Sequence, residues 1–444
     1  MSDFIERSKF SCALGGALST IAAIPRAVPI VHASGGCAAA LSGTYNLSAG
    51  YRGVGYCGGN MIPTSNISQS NIVFGGEDKL VGQIESTIKY LKGDIYIVVT
   101  GCQTEMIGDD SVGIASRYRE YNVIGANTPG FKGNTLRGYD EVLDVLIREI
   151  VEKTDKKDER TINLLGIVPG HDVFYRGNIA YIQELLSKVG IKVNTFFGDG
   201  ESVEKIKSYG SAALTVVLSV TAGQLAAKTF ETVHQIPYVT TELPIGPKAS
   251  EKFLRFIGEK LGIEKKRIDT VVEEEIRYFY SYLERIVDVA SDLDFQRYAV
   301  VITDSYYAYP ITDFISEELG WIPHFVSVND IHDREIQEQY RKKFEGLTSV
   351  TKPQVIFEDK VGQTAKKLRA SWPYNNNQKY YDALGPLFVI GSVVERNLAA
   401  QYGAGFLSVA FPVSNRAVLN KGYAGFRGAL SLTEDLLSNL VVAR

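Results

Sequence analysis

The fold is decided by a stretch that reads Ile24-Pro25-Arg26-Ala27-Val28-Pro29-Ile30-Val31-His32-Ala33-Ser34-Gly35-Gly36-Cys37. Its apolar part, residues 28–31, predicts a buried strand, and residues 34–36 predict a turn in which the backbone closes around a ligand. Cys37 then opens a helix of small residues. Because the positive end of a helix dipole favours thiolate over thiol, this position suits a cysteine that binds a soft metal such as iron.

Three further cysteines occur, and two of them lie in similar surroundings. Cys12 precedes an apolar, glycine-containing segment, and Cys102 follows the predicted strand 95–99. Ligands of open α/β sheets gather at the carboxyl ends of strands, so these thiols meet only if the fold brings several loop ends together. They are too far apart in sequence for a zinc ribbon, which needs close pairs. Cys57, in Gly55-Tyr56-Cys57-Gly58-Gly59, is either an additional ligand or a packing thiol. The alternative for all four is an inert, buried, small side chain.

Length and composition restrict the class of protein. The chain has 444 residues, 45% hydrophobic residues and a net charge of −4, so it is long enough for several domains and lacks the basic excess of proteins that bind nucleic acids or membrane surfaces. It has no long apolar run and no basic, apolar leader, so we expect no transmembrane helix and no secretory signal. So few cysteines in so long a chain indicate a reducing compartment, the cytoplasm.

Short apolar runs alternate with amphipathic helical segments along the whole chain. Such alternation predicts right-handed βαβ crossovers and parallel sheets that are covered on both faces. We therefore predict an α/β protein with three Rossmann-like, doubly wound parallel-sheet domains. Residues 1–155 form the N-terminal domain that carries the cysteines, residues 156–290 the second domain and residues 291–444 the third.

Two further segments of the first domain are predicted from their sequence. Residues 71–74, which read Asn71-Ile72-Val73-Phe74, predict a short strand. Residues 42–70 show no clear period and predict a long functional or partner-covering loop. Its three tyrosines, Tyr45, Tyr51 and Tyr56, either line an interface or are exposed loop residues.

These features together carry a resemblance to a known family. The chain resembles the component 1 family of nitrogenases and nitrogenase-like reductases, and more closely their β-type subunit. The segments that carry the resemblance, in chain order, are Cys12, residues 29–37, Val73-Phe74-Gly75-Gly76, residues 101–110, Thr128-Pro129-Gly130-Phe131, Leu243-Pro244-Ile245-Gly246-Pro247, Phe411-Pro412, Arg416, Gly422-Tyr423 and Gly425.

The resemblance implies an iron–sulfur cluster, either of the P-cluster type (8Fe–7S) or a 4Fe–4S cluster, shared with a partner subunit. Cys12, Cys37 and Cys102 would be this chain's ligands to the iron. Three thiolates cannot close a four-iron cube, which also favours a ligand from a second chain. The implied partners are an α-type subunit, in an α2β2 heterotetramer, and an ATP-binding iron protein as the reductase component. This chain itself has no phosphate-binding loop motif.

The sequence departs from the family in two informative places. Family β chains often read Thr-Pro-Ser-Phe where this chain has Gly130 in place of the serine, so tuning of the cluster falls to backbone N–H groups and burial rather than to a hydroxyl ligand. No cysteine follows Cys102, and the late histidines His324 and His332 are expected to be ordinary loop or surface residues. We therefore predict no catalytic residue in this chain and a substrate-reducing cofactor in the α-type partner.

Several polar residues near the cysteines have structural alternatives. His32 is expected to be a buried histidine with satisfied hydrogen bonds; the other possibility is a hydrogen bond or proton relay toward the cluster. Asp109 and Asp110 follow Cys102 and are expected to cap a helix rather than to take part in catalysis. Glu105 is expected to have a similar structural part.

The expected function is that of an oxidoreductase subunit. It would relay electrons from the iron protein to the cofactor of the α-type partner, which reduces dinitrogen or an organosulfur (methylthio) compound. One alternative is a scaffold subunit for assembly of a nitrogenase-type cofactor. A third possibility is an α/β binding protein with inert thiols.

Overall fold

A computed structural model describes residues 8–442 except 52, 54, 57–61, 291, 294, 350 and 373–386. The strands are β1 Ala27–His32, β2 Ile95–Thr100, β3 Val123–Ala126, β4 Asp158–Leu165, β5 Lys192–Asn194, β6 Ala212–Val217, β7 Tyr238–Thr240, β8 Tyr298–Thr303, β9 Ile322–Val328, β10 Gln354–Phe357, β11 Leu387–Gly391 and β12 Gly405–Ser408. The helices are α1 Ala13–Ala23, α2 Gly35–Ser48, α3 Gln69–Phe74, α4 Glu77–Tyr90, α5 Cys102–Ile107, α6 Ser111–Ser116, α7 Thr135–Glu149, α8 Tyr175–Lys188, α9 Val203–Lys207, α10 Gln224–His234, α11 Gly246–Lys260, α12 Lys265–Leu283, α13 Val287–Ala290, α14 Ser305–Glu317, α15 Arg334–Glu345, α16 Val361–Ser371, α17 Arg396–Gln401 and α18 Gly425–Val442.

The strands form three separate sheets, and every strand pair in them is parallel. The first sheet has the order β1-β2-β3, the second β5-β4-β6-β7 and the third β10-β9-β8-β11-β12. The strands β1 and β2 are buried along their whole length, as their unbroken apolar runs predict. This confirms the predicted α/β class with three Rossmann-like parallel sheets. Each sheet takes its strands from one of the three predicted segments; the domain boundaries themselves remain a prediction.

The helix that follows Cys12 is held by close contact between backbones. A Cβ atom on Gly16 would lie 2.0 Å from the carbonyl oxygen of Thr135, and one on Gly138 would lie 1.9 Å from the carbonyl oxygen of Ala13. Glycine at both positions therefore lets α1 and α7 approach more closely than side chains would allow.

Two expectations for the first domain are wrong. Residues 71–74 lie in the short helix α3 rather than in a strand, and its Val73 and Phe74 side chains are largely exposed. A capping box between Ser68 and Asn71 satisfies the backbone at the start of this helix. Part of the predicted loop 42–70 is also helical, since α2 continues to Ser48.

The tyrosines of the predicted loop differ in their exposure to solvent. Tyr45 is buried within α2, so it neither lines an interface nor is exposed, while Tyr51 and Tyr56 are exposed. Within the described ranges, no helix has the length and apolar character that a membrane span requires.

Candidate metal centre

The turns that follow β1, β2 and β3 lie at the same edge of the first sheet. The register of the parallel strands pairs His32 with Thr100 and Val99 with Ala126, so the three strands end level with one another. Cys37 lies at the start of α2, which follows β1. Cys102 begins α5, which follows β2, and Gly130 lies in the segment after β3. Carboxyl ends of parallel strands are the usual ligand sites of α/β proteins, and this edge is where two of the three candidate thiols arise.

Cys12 and Cys102 come together on either side of Gly130. The backbone N–H of Gly130 donates to Sγ of Cys102 at 3.1 Å. A Cβ atom on Gly130 would lie 3.1 Å from Sγ of Cys102 and 3.6 Å from Sγ of Cys12. The bridge between Cys12 and Asn134, and the hydrogen bond from the Ala13 N–H to the Gly133 carbonyl at 2.9 Å, hold the Cys12 backbone beside this segment.

Cys37 occupies the first turn of α2, beside its N-cap residue. Its Sγ lies 3.5 Å from the Ser34 hydroxyl, and its N–H donates to the Ser34 carbonyl. No contact joins its sulfur to those of Cys12 and Cys102 among the described hydrogen bonds, and the described residues include no group of three or more His, Cys, Asp or Glu side chains arranged to hold a single metal ion. Cys57 lies outside the described residues. The ligand role of the three thiols thus stays a prediction.

All three thiols share a local setting at the start of a helix and are half-buried. Cys12 is the N-cap of α1, Cys37 is in the first turn of α2, and Cys102 is the first residue of α5. The unpaired N–H groups of a helix start direct partial positive charge toward these positions. Half-buried cysteines with a backbone N–H directed at one sulfur are suited to iron–sulfur ligation.

His32 is completely buried at the end of β1, with both ring nitrogens in hydrogen bonds. Nδ1 lies 2.9 Å from the Ser65 hydroxyl and Nε2 lies 2.9 Å from a carboxylate oxygen of Asp109. Burial lowers the pKa of His32 more than the hydrogen bond and charge of Asp109 raise it, which favours the neutral imidazole. His32 is therefore the satisfied buried histidine that was expected, and no ring nitrogen is left to face the thiols.

The acidic residues after Cys102 divide between two structural tasks. Asp110 caps α6 by accepting the Gly113 N–H at 2.9 Å, as expected. Asp109 is not a cap of that helix: besides His32, it accepts the Gly76 N–H at 3.0 Å and so joins α4 to the first sheet. Glu105 accepts a hydrogen bond from the Thr100 hydroxyl at 2.5 Å, which ties α5 to the end of β2.

The late histidines have ordinary surroundings. His324, on β9, packs edge-on against Trp372 with ring centroids 4.8 Å apart, and burial lowers its pKa. His332 is exposed in the segment before α15. The sequence reasoning did miss Lys9 and His171, which hold the chain before Cys12; nothing in their local sequence distinguishes them, because their partners lie far along the chain.

These observations define an α/β protein of three Rossmann-like parallel sheets in which Cys12 and Cys102 approach each other beside Gly130, at one edge of the first sheet. Residues 12–441 match the sequence profile described as nitrogenase component 1 type oxidoreductase. The chain therefore belongs to the nitrogenase component 1 family.

Individual relatives refine this assignment. The chain is 22% identical, over 470 residues, to the nitrogenase molybdenum-iron protein beta chain of Methanococcus maripaludis, covering 97% of this chain and 93% of the relative. It is 28% identical over 279 residues to the nitrogenase iron-molybdenum cofactor biosynthesis protein NifE of the same species, covering 60% of this chain and 55% of that protein. The full-length similarity to β chains confirms the predicted resemblance to the β type of subunit.

A solved structure shares the fold. Nitrogenase Cp1 at pH 6.5 superimposes with a TM-score of 0.79 at 20% identity, covering 100% of this chain and 94% of the other. At this identity the likeness concerns the fold alone, and it agrees with the three-sheet architecture described above.

Proposed function

We propose that this chain is the β-type subunit of a nitrogenase-like, ATP-dependent two-component reductase and that it relays electrons through an iron–sulfur cluster at a subunit interface. The observation that carries the proposal is the approach of the Cys12 and Cys102 sulfurs to Gly130, at the sheet edge where Cys37 also lies. Such a cluster, when bound, supplies one-electron storage and release. Cys12, Cys37 and Cys102 would hold it, together with ligands from an α-type partner.

The residues around the thiols suit that task in different ways. The Gly130 N–H donates to Sγ of Cys102, and a hydrogen bond to a ligand sulfur stabilises its negative charge. Glycine at 130 also leaves space beside two sulfurs, where a larger side chain would press against them. The starts of α1 and α2 add partial positive charge near Cys12 and Cys37. These are effects on thiolate charge and position, and they need no catalytic residue in this chain.

Exposed apolar side chains on the thiol-bearing elements support a partner chain at this surface. Leu47 on α2 is 61% exposed, Met106 on α5 is 78% exposed and Phe131, next to Gly130, is 66% exposed. Exposed apolar surface marks protein interfaces, and methionine and phenylalanine are enriched there. The proposed occupant is the α-type subunit of an α2β2 heterotetramer, which would supply the remaining cluster ligands.

The remaining parts of the proposal concern other chains. An ATP-binding iron protein would deliver single electrons, and the α-type partner would carry the cofactor that reduces dinitrogen or a methylthio organosulfur compound. The whole assembly would work in the cytoplasm, where thiolates stay reduced.

The test is anaerobic co-expression with the α-type partner. We expect the purified complex to contain iron and sulfide, and to reduce its substrate only when iron protein and ATP are added. Cys37→Ala should lose most of the iron and weaken association of the two chains. A wild-type complex without iron, or a Cys37→Ala complex with unchanged iron and unchanged association, would contradict the proposal.

A second function is a scaffold that holds a nitrogenase-type cofactor during its assembly. The 28% identity to the cofactor biosynthesis protein NifE, over 60% of this chain, is the observation that favours it. The two functions differ in turnover: a scaffold complex would donate a cofactor precursor to an acceptor protein lacking it, and would show no steady-state reduction of substrate with iron protein and ATP.

A further inference from the structure

The residues just before Cys12 contact all three α/β units in turn, each unit being one sheet with its helices and loops. Ser11 binds the first unit: its N–H donates to the Thr135 hydroxyl at 2.9 Å, and its own hydroxyl lies 2.7 Å from that of Tyr45. Phe10 and Lys9, one and two positions further back, reach residues of the second and third units instead. Residues 8–11 form neither a helix nor a strand, so these side-chain contacts hold the stretch of backbone that leads to Cys12.

Phe10 is held by a stack of aromatic rings. Its ring lies on that of His171 with centroids 4.7 Å apart and an angle of 23° between the planes, and His171 also contacts Phe411 at 5.7 Å. The His171 ring is fixed in turn, since its Nε2 lies 2.9 Å from a carboxylate oxygen of Asp304. His171 belongs to the segment after β4 and Asp304 directly follows β8, so this stack joins the second and third sheets to the approach to Cys12.

Lys9 makes the contact to the third sheet, and it does so in the protein interior. Its ammonium group lies 2.9 Å from Oε1 of Glu395, and the two side chains are only 5% and 2% exposed. The other oxygen of Glu395 accepts the N–H and the hydroxyl of Ser392 at 2.9 and 2.7 Å. Ser392 directly follows β11, so Glu395 is a fixed point at the carboxyl edge of the third sheet.

A buried ion pair is a costly way to stabilise a fold. The desolvation of both charges offsets much of their attraction, and an apolar pair of similar volume often serves as well. In some proteins a buried pair instead specifies one geometry, because another arrangement leaves a charge unpaired in the interior.

We propose that Lys9 and Glu395 are positioning residues that set where the Cys12 sulfur lies relative to Cys102 and Gly130. This inference rests on the proposed function, in which Cys12 is a cluster ligand. Its consequence is that the third unit, which carries none of the candidate thiols, contributes to the geometry of the centre. A shift of β11 relative to the first sheet would move Glu395 and its partner Lys9. Lys9 lies three residues before Cys12, so the shift would also move Cys12.

The test uses Lys9→Met, Glu395→Gln and the double variant Lys9→Met/Glu395→Gln. Each single variant leaves one buried group without its partner and should lower the thermal unfolding temperature. The double variant removes both charges and should recover most of that loss. The first readout is the rate at which iodoacetamide alkylates Cys12 in the full-length, metal-free chain, measured by mass spectrometry with Cys37 as the internal reference. The second is the reduction potential and electron paramagnetic resonance spectrum of the loaded complex.

We expect the double variant to unfold near the wild-type temperature but to show a several-fold change in Cys12 alkylation relative to Cys37, together with a shifted potential and spectrum. The control is Lys188→Met/Glu275→Gln, which removes a partly buried ion pair between α8 and α12 and should leave both readouts unchanged. The proposal is overturned if the double variant recovers its stability with wild-type alkylation and a wild-type spectrum. If no preparation binds iron, the proposed function fails, while the alkylation rate still decides whether the pair positions Cys12.

Discussion

At the carboxyl edge of the first sheet, Cys12, Cys37 and Cys102 are half-buried, and apolar side chains near them are exposed. At the carboxyl edges of the second and third sheets, by contrast, the carboxylates Asp172, Asp304 and Asp330 are almost fully buried. Asp304 and Asp330 are 6% and 7% exposed. These edges occupy equivalent places in repeated α/β units, which are the places where such proteins bind ligands. Equivalent position has therefore led to two different outcomes.

The buried edges are joined to each other by hydrogen bonds. Asp330 accepts the N–H and hydroxyl of Ser305 at 2.7 and 2.6 Å, and the hydroxyl of Thr221 at 2.8 Å. Asp172, after β4, accepts the hydroxyl of Tyr307 on α14 at 2.7 Å. These carboxylates accept hydrogen bonds from within the chain. The same bonds connect the loops at the carboxyl edge of the second sheet to those of the third. A strand end can serve as a binding site only where side chains keep both exposure and free capacity, as the thiols of the first sheet do.

The largest expected effect follows from removing a thiol at the open edge. Cys102→Ala in the complex with the α-type partner should lose most of the bound iron, because a cluster edge would lose its ligand. Iron and sulfide analysis of the anaerobic complex measures this. Cys57→Ala is the control, and it should retain the wild-type iron content if Cys57 is a packing thiol. Wild-type iron in Cys102→Ala would remove the contrast between the two kinds of edge.

A pH-dependent effect is expected at the closed edge. Burial and the charge of Asp304 raise the pKa of Asp330, whereas hydrogen bonds from Ser305 and Thr221 lower it. The net result is a pKa of about 6. Because the folded state then binds a proton more tightly than the unfolded chain, this group's contribution to stability is greatest below pH about 4 and is lost as the pH rises through about 6. Asp330→Asn stays neutral, so its stability relative to wild type should improve by up to about 3 kcal/mol over that range.

Thermal unfolding across this pH range checks the sign, and Asp435→Asn is a control of opposite sign. Burial raises the pKa of Asp435, but the charge of Arg416 and hydrogen bonds from Lys421 and Tyr423 outweigh it, so that the pKa is lowered. Its contribution is present at neutral pH and lost in acid, so Asp435→Asn should be most destabilising near neutrality. A pH profile of Asp330→Asn parallel to that of wild type would contradict the prediction.

A smaller effect is expected from filling the space between the thiols. The added methyl group of Gly130→Ala would lie 3.1 Å from Sγ of Cys102 and 3.2 Å from Cβ of Cys12, and such overpacking costs about 1–3 kcal/mol. We expect a lower unfolding temperature and a changed spectrum of the loaded complex. Gly36→Ala is the matched control, since no atom lies within 4 Å of its added methyl group. Equal behaviour of the two variants would show that the space at Gly130 is not restricted.

The smallest effect separates two neighbouring carboxylates beside the open edge. Asp110→Ala removes the cap that accepts the Gly113 N–H and should lower stability by about 1 kcal/mol without altering iron content. Asp109→Ala should lower stability more, because it leaves buried His32 and the Gly76 N–H without their acceptor. Urea unfolding of both variants measures the difference in free energy of unfolding. Equal losses of stability would argue against a structural role for the hydrogen bonds that Asp109 accepts from His32 and Gly76.

The sequence predicted the parts of the fold that depend on local pattern. Unbroken apolar runs located β1 and β2, and the alternation of runs and helices predicted three parallel sheets. The strand prediction for residues 71–74 was wrong because their β-branched and aromatic side chains have strand propensity. In the structure these side chains are exposed, and a side-chain cap starts a helix there. The strand β3 was missed, since its four residues include a glycine and give no period.

The candidate site divides in the same way. The thiols and their helix starts could be predicted from residue type and spacing, because helix starts and strand ends have local signals. The closeness of Cys12 and Cys102 to Gly130 could not, since it depends on how α1 and α7 pack through Gly16 and Gly138. The Lys9–Glu395 pair joins residues nearly a whole chain apart, and one sequence contains no signal for such a contact.

The exposed side chains of Leu47, Met106 and Phe131 bear on how the protein is made in the cell. A newly synthesised copy without the proposed partner would present them to other proteins, and such copies are taken up by chaperones, degraded or lost to aggregates. Balanced synthesis of the two polypeptides would then limit how much of the proposed assembly accumulates.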